Sequence, residues 1–195
     1  GIQIAFTLET SQMSRIFQTL GADPTKLGWF FILPPLAGLV VQPAIGLFSD
    51  RTWAPKLGGR RLPYLLIGMI FAVIMMLFLP NIGSLGLGYG SIEALVFGAI
   101  AIAILDVAAN MAMQPFKMMI GDMVNDEQKS YAYGIQSMLS NSGAVIAAFF
   151  PFLLTVLGVA NTAKKGVVPQ SVVISFYVGA TILVITSLLT VTKVQ

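Results

Sequence analysis

The chain of 195 residues contains no cysteine and no histidine, and only 10% of its side chains are charged. Without cysteine there are no disulfides and no thiol chemistry; without histidine the usual zinc ligands are also missing. No nucleophile–base pattern remains from which a reaction centre could be assembled, so an enzyme is the least favoured class. A soluble domain carries about 25% charged residues. The shortage here, beside 56% hydrophobic residues, points to an integral membrane protein. The net charge of +3 is small and sits in particular loops, which excludes a nucleic-acid footprint and reads as a topology signal. The ten methionines, Met75-Met76 and Met118-Met119 among them, suit lipid-facing or core positions and suggest no metal site.

What is present is a series of apolar runs. A helix needs about 20 apolar residues to cross a bilayer, and six segments can be drawn as spans: 1–20, 27–48, 62–79, 91–119, 127–157 and 168–191. The expectation is an all-α transmembrane six-helix bundle. The first span is unusually polar, and its opening at Gly1 inside a helical pattern reads as a start part-way into the span. The second carries Pro34-Pro35, which predicts a break in the helix ladder near mid-depth. The fifth is longer than a bilayer requires, so its turns before Ile135 are expected in water. Arg51, Lys56, Arg60, Arg61, Lys117, Lys129 and Lys193 fall on one side, against Lys26, Lys164 and Lys165 on the other. That excess predicts that both ends and the even-numbered loops are cytoplasmic.

One residue interrupts the fourth run. Asp106 is the only charge between Glu93 and Lys117. A carboxylate near mid-depth costs roughly 2.5–3.5 kcal/mol on insertion scales. A structural helix would be better served by leucine, so Asp106 reads as a functional acid facing a cavity or a partner. Asn110 and Gln114 follow at spacings of four and eight, on the same helix face. Such a stripe suits a water-filled cavity; interhelical hydrogen bonds that hold a bundle together are the alternative.

The loop after the second span carries the most specific pattern. Gly46-Leu47-Phe48-Ser49-Asp50-Arg51 is followed by Gly59-Arg60-Arg61-Leu62-Pro63-Tyr64. This Gly-x-x-x-Asp-Arg and Gly-Arg-Arg pair resembles the signature of the major facilitator superfamily, with Thr52 to Gly58 forming a longer insertion than usual. The long loop, and Leu105-Asp106-Val107-Ala108-Ala109-Asn110 followed by Pro115-Phe116-Lys117 and Gly121-Asp122, are similar to sucrose–proton symporters and their bacterial sugar-transporter relatives. One departure is Lys117, where that family has arginine, so that a point charge replaces a planar bidentate donor. Ala5-Phe6-Thr7-Leu8-Glu9 is similar to the relatives' first helix. The resemblance covers all six spans and implies the amino-terminal half of a twelve-span fold, built of two inverted three-helix repeats. The carboxy-terminal half is expected to be absent, and this half or a second copy would be the partner.

From the resemblance follow the site expectations. The substrate would be an α-linked disaccharide of the sucrose or maltose type, moved with a proton by alternating access. No cofactor is implied beyond the coupling ion, and sodium, as in melibiose- or hexuronide-type symporters, is the alternative. Asp106 and Glu9 stand on the first helix of each repeat and would be the proton-coupling acids facing one cavity. Burial disfavours the charged form of a carboxyl group, and repulsion between neighbours disfavours double ionisation. Phe6, Gln12 and Met13 accompany Glu9, and a local Glu9–Arg15 ion pair is the rival reading. Substrate contacts would come from Asn110, Gln114, Gln12, Arg15, Gln42, Tyr133, Ser137, Ser140 and Asn141. For the fifth-span residues, small-residue packing around Gly134 and Gly143 is the alternative. For Gln42 it is a local bond beside Pro43. Gly46, Asp50, Arg51, Arg60, Arg61, Lys117 and Asp122 would form a cytoplasmic gate, in which Asp50 accepts charge-assisted bonds from Arg51, Arg60 or Lys117, or caps a neighbouring helix start. The implied location is a bacterial inner membrane, and a non-transporting six-helix receptor or scaffold remains as the other class.

Overall fold

Local signals set where the helices begin. The Ser91 hydroxyl accepts the Ala94 amide at 3.1 Å, and Glu93 lies in the same first turn, where negative charge suits the positive end of a helix. Gly90, at φ +77°, turns the chain into that helix and donates its amide to the Leu20 carbonyl at 2.9 Å. Pro63 stands in the first turn of another helix, where a missing N–H costs little. The computed structural model describes residues 1–23, 28–55, 59–86 and 90–193. Lys26, Lys56 and Gly58 of the sequence reading lie outside the described residues.

Six helices follow: α1 (Ile2–Thr19), α2 (Gly28–Arg51), α3 (Leu62–Phe78), α4 (Ile92–Met123), α5 (Asp126–Val156) and α6 (Gln170–Lys193). α3 continues as a 3-10 segment over Leu79–Leu85, six residues past the end expected from sequence. α4 also runs one turn further than expected, which carries Asp122 on the helix. α2 is helical throughout, so the N–H groups missing at Pro34-Pro35 do not end the helix. Its length is packed along α4, and a neighbouring helix is what allows proline inside a membrane-type helix.

Among the described residues four helical stretches, 62–85, 92–123, 126–156 and 170–193, are long and apolar enough to cross a membrane. α1 is not among them because ten of its eighteen residues are polar or charged, six of them between Glu9 and Arg15. Part of that polarity is turned inward: Glu9 and Gln12 are buried against the bundle, while Thr10 and Ser11 are exposed. The outward faces are apolar instead. Leu36, Leu39 and Val40 on α2, and Phe149, Phe152 and Leu153 on α5, are all exposed. Such faces belong against lipid or another apolar partner.

The packing has an internal symmetry. α1 lies against α5 and α6, α4 lies against α2 and α3, and α1–α4 and α3–α6 also touch. Exchanging α1, α2, α3 for α4, α5, α6 maps these pairs onto one another, as two inverted repeats require. Close approach depends on small residues. A Cβ on Gly68 of α3 would stand 2.6 Å from the Ala112 amide nitrogen and 2.7 Å from the Ala108 carbonyl of α4. With alanine on α4 and glycine on α3 the two backbones touch, the packing mode that replaces the hydrophobic effect inside a bilayer.

Candidate functional site

Asp106, buried to 1% exposure, sits midway along α4 in the region where α1 and α2 converge on it. Beside it is a cavity of about 460 Å³ lined by Phe6, Thr10 and Met13 of α1, Pro35, Gly38, Leu39 and Gln42 of α2, and Asp106 and Asn110 of α4. Small-molecule sites run from roughly 300 to 1,000 Å³. The polar groups on this wall are joined. Asn110 Nδ2 donates to Asp106 Oδ2 at 3.1 Å and to the Asp106 carbonyl at 2.9 Å. Gln42 Nε2 donates to Asn110 Oδ1 at 2.8 Å. Gln42 therefore reaches across to α4, and the local bond beside Pro43 is not what it makes.

Glu9 is placed differently. The α1 face that lines the cavity is Phe6–Thr10–Met13, spaced by four and three, and Glu9 lies on the adjoining face with Leu8, Gln12 and Ile16, inside the bundle. It is within electrostatic reach of Asp106. Both of its carboxyl oxygens, and Oε1 of Gln12, are buried without a hydrogen-bond partner. Arg15 does not pair with Glu9. Its guanidinium donates to the Asn161 carbonyl at 3.0 Å and to Asn161 Oδ1 at 2.7 Å, and Ser171 donates to the same Oδ1 at 2.8 Å. These bonds tie the end of α1 to the α5–α6 connection.

The remaining substrate candidates are dispersed. Gln114 is half-buried and lines none of the cavities found among the described residues. The Tyr133 hydroxyl donates to the Lys117 carbonyl at 3.2 Å and lies over Gly121, so it closes the α4–α5 crossing. Asn141 donates to the Ser137 carbonyl at 2.8 Å within α5, and both are exposed. Ser140 lines a second cavity, of about 650 Å³, between the start of α1, the end of α4, the start of α5 and the end of α6. That space is larger, but its walls are mainly apolar residues such as Ile2, Leu65, Phe116 and Ile135. It also carries polar side chains, Gln3, Gln136, Ser140 and Thr186 among them, but no acid among the described residues.

At the basic end one guanidinium gathers three helix ends. Arg61, at the start of α3, places Nη1 at 2.8 Å from Asp50 and Nε at 3.1 Å from Asp122. Its Nη1 also donates to Ser49 Oγ and to the Met118 sulfur, each at 3.0 Å. The partner expected for Asp50 was Arg51, Arg60 or Lys117; it is Arg61. Among the described residues the side chains of Arg51, Arg60 and Lys117 form no ion pair, and all three are exposed. The reason is geometric: Arg61 is the residue at the helix start itself, facing both α2 and α4, while Arg60 is still in the loop. Gly46 is in α2 with its α-carbon facing the Met118 methyl group.

Three contributors escaped the sequence reading: Thr10, Ser49 and Asn161. Thr10 had a signal, since it completes the Phe6–Met13 spacing. Ser49 precedes Asp50 on the same turn. Asn161 sits in a connection, and nothing local couples it to Arg15 across 146 residues.

Residues 4–194 match the Major Facilitator Superfamily. Sucrose transport protein SUC4 of Arabidopsis thaliana is 30% identical over 75% of this chain and 30% of its own length. Sucrose transport protein SUC3 of the same plant is 28% identical over 78% of the chain and 29% of its own. Solute carrier family 45 member 4 of Homo sapiens is 26% identical over 75% and 19%. The chain thus spans less than a third of the length of these relatives. No solved structure matches it.

Proposed function

The chain belongs to the major facilitator superfamily, and from that premise we propose that it is the amino-terminal six-helix half of a proton-coupled symporter for a disaccharide of the sucrose or maltose type. Asp106 is the proton acceptor, with Glu9 as a second, interior acid. The observation that carries the reading is the cavity whose polar wall is Gln42–Asn110–Asp106. It offers amide and carboxyl groups to sugar hydroxyls beside an ionisable group, with Phe6 and Pro35 as apolar platforms for the sugar faces. The sucrose transport proteins among the relatives support the substrate class. This chain supplies one wall of the path; a second six-helix unit, the carboxy-terminal half or another copy, closes it.

The Arg61 cluster is the cytoplasmic gate. It holds the ends of α2, α3 and α4 together in one state and parts when the cavity opens to that side. The membrane is a bacterial inner membrane, with both chain ends on the cytoplasmic side. The test is uptake of labelled sucrose and maltose by the full-length protein in proteoliposomes, with proton and sodium gradients imposed separately. The account expects accumulation driven by the proton gradient and unlabelled disaccharides competing. Accumulation that follows sodium alone moves the protein to the melibiose- or hexuronide-type class, and no transport with saturable sugar binding makes it a receptor.

A further inference from the structure

The polar wall of the cavity has a direction. Both hydrogens of the Asn110 amide are used, one on Asp106 Oδ2 and one on the Asp106 carbonyl, while its oxygen accepts from Gln42. Turned over, Asn110 would set its oxygen against those two acceptors and its NH2 against the Gln42 NH2. The network therefore orients both amides. The α2 backbone sits directly against this pair: a Cβ on Gly38 would stand 3.5 Å from Asn110 Nδ2 and 3.7 Å from Gln42 Nε2.

We infer that Gln42 is a positioning residue for Asp106, acting through Asn110, so that the protonation state of the carboxyl group sets how firmly α2 is held to α4. This rests on Asp106 being the coupling acid. An ionised Asp106 accepts a charge-assisted bond, roughly twice as strong as a neutral one. Protonation removes that assistance. A proton on Oδ2 also turns that oxygen into a donor facing the Asn110 NH2, so this bond is lost while the Asp106 carbonyl keeps the other Asn110 hydrogen, and the Asn110 amide shifts against Gln42. Because Gly38 leaves no side chain between, the change is felt by the α2 backbone.

Other charges around Asp106 are few. On α1 the ionisable neighbour is Glu9. α2 places none in the cavity, its Asp50 and Arg51 being at the basic end. On α3, Arg61 and Tyr64 are likewise at that end, and on α4 Glu93 and Lys117 lie about three turns to either side of Asp106. The α5 and α6 ionisable groups, Lys129, Tyr133, Tyr177 and Lys193 among them, belong to the outer thirds of their helices.

The test uses the full-length protein in proteoliposomes and labelled sucrose or maltose, whichever the unaltered protein accumulates. Gln42→Met keeps the volume and removes the donor. It is expected to move the pH midpoint of uptake toward higher pH by about half a unit or more, the size of one hydrogen bond. Because Gln42 also lines the cavity, uptake is read at a saturating sugar concentration for each variant, so that a change in sugar affinity does not enter the midpoint. On top of Asn110→Leu, Gln42→Met should add nothing, the mark of a residue that acts through its neighbour. Sugar counterflow, which needs the fold and no net proton movement, confirms that each variant is intact, and Gln42→Ala replaces the methionine variant if that fails. An unmoved midpoint, or shifts that add, overturn the relay. Should Asp106→Asn retain pH-dependent accumulation, the coupling assignment itself fails; an unmoved Gln42→Met midpoint beside a lost Asp106→Asn response overturns the relay alone.

Discussion

Glu9 and Asp106 occupy matching places in the two repeats, each following a leucine on the first helix of its repeat, and both are 1% exposed. Their surroundings are opposite. Asp106 is bonded through Asn110 to Gln42 and lines a cavity. Glu9 has neither oxygen partnered and lies on the interior side of α1, one face away from that cavity. The repeat has thus placed two acids by the same geometry and given only one of them a polar relay to another helix. Burial of an acid marks a position under selection for something; partners and a space to work in mark a site.

The largest effect is expected at Asp106 itself, and the next largest at the basic end. Arg61→Gln breaks both ion pairs and the Ser49 bond. Asp50 and Asp122 are each about half exposed, so solvent screens the loss. A change of about 1 kcal/mol is expected in the balance between inward- and outward-facing states, roughly a fivefold shift. Cysteine-accessibility labelling from either side would read it. Arg61→Lys sharpens the point, because a point charge cannot hold two carboxylates in a fork.

Gly68→Val is a packing test that leaves both acids untouched. The new side chain would drive α3 into the α4 backbone at Ala108 and Ala112, at a cost of about 1–3 kcal/mol. A fall in the thermal midpoint of the detergent-solubilised protein, with uptake lost in proportion, is the expected result. The smallest effect is expected from Glu9→Gln. It replaces an acid that makes no hydrogen bond with a neutral side chain of the same shape, and proton-driven uptake should remain within about threefold of the unaltered protein. A loss as large as that at Asp106 would erase the contrast between the two acids.

Much of this is legible in the sequence. Six helices, the family, the interior acid on α4 and the stripe Asp106–Asn110 follow from apolar length, one misplaced charge and one loop pattern. What was not legible depended on rotation and on distant partners. Helical spacing put Glu9 on the Phe6–Met13 face, yet a rotation of about 100° per residue is enough to pass the cavity from Glu9 to Thr10. The choice of Arg61 over Arg60 is a matter of which residue stands at the N-cap of α3. Arg15, Tyr133 and Asn141 look like sugar ligands by type; in the structure Arg15 donates to Asn161 in a connection, and Tyr133 and Asn141 donate to helix carbonyls. Pro34-Pro35 reads as a break locally, yet α2 stays helical through it, with α4 packed against it.

The most direct test compares accumulation of labelled disaccharide by the full-length protein and its Asp106→Asn variant, across a range of pH, with counterflow measured in parallel. The account predicts that Asp106→Asn still exchanges sugar but no longer concentrates it, at any pH. Concentrative uptake by Asp106→Asn that still rises with the proton gradient would contradict it.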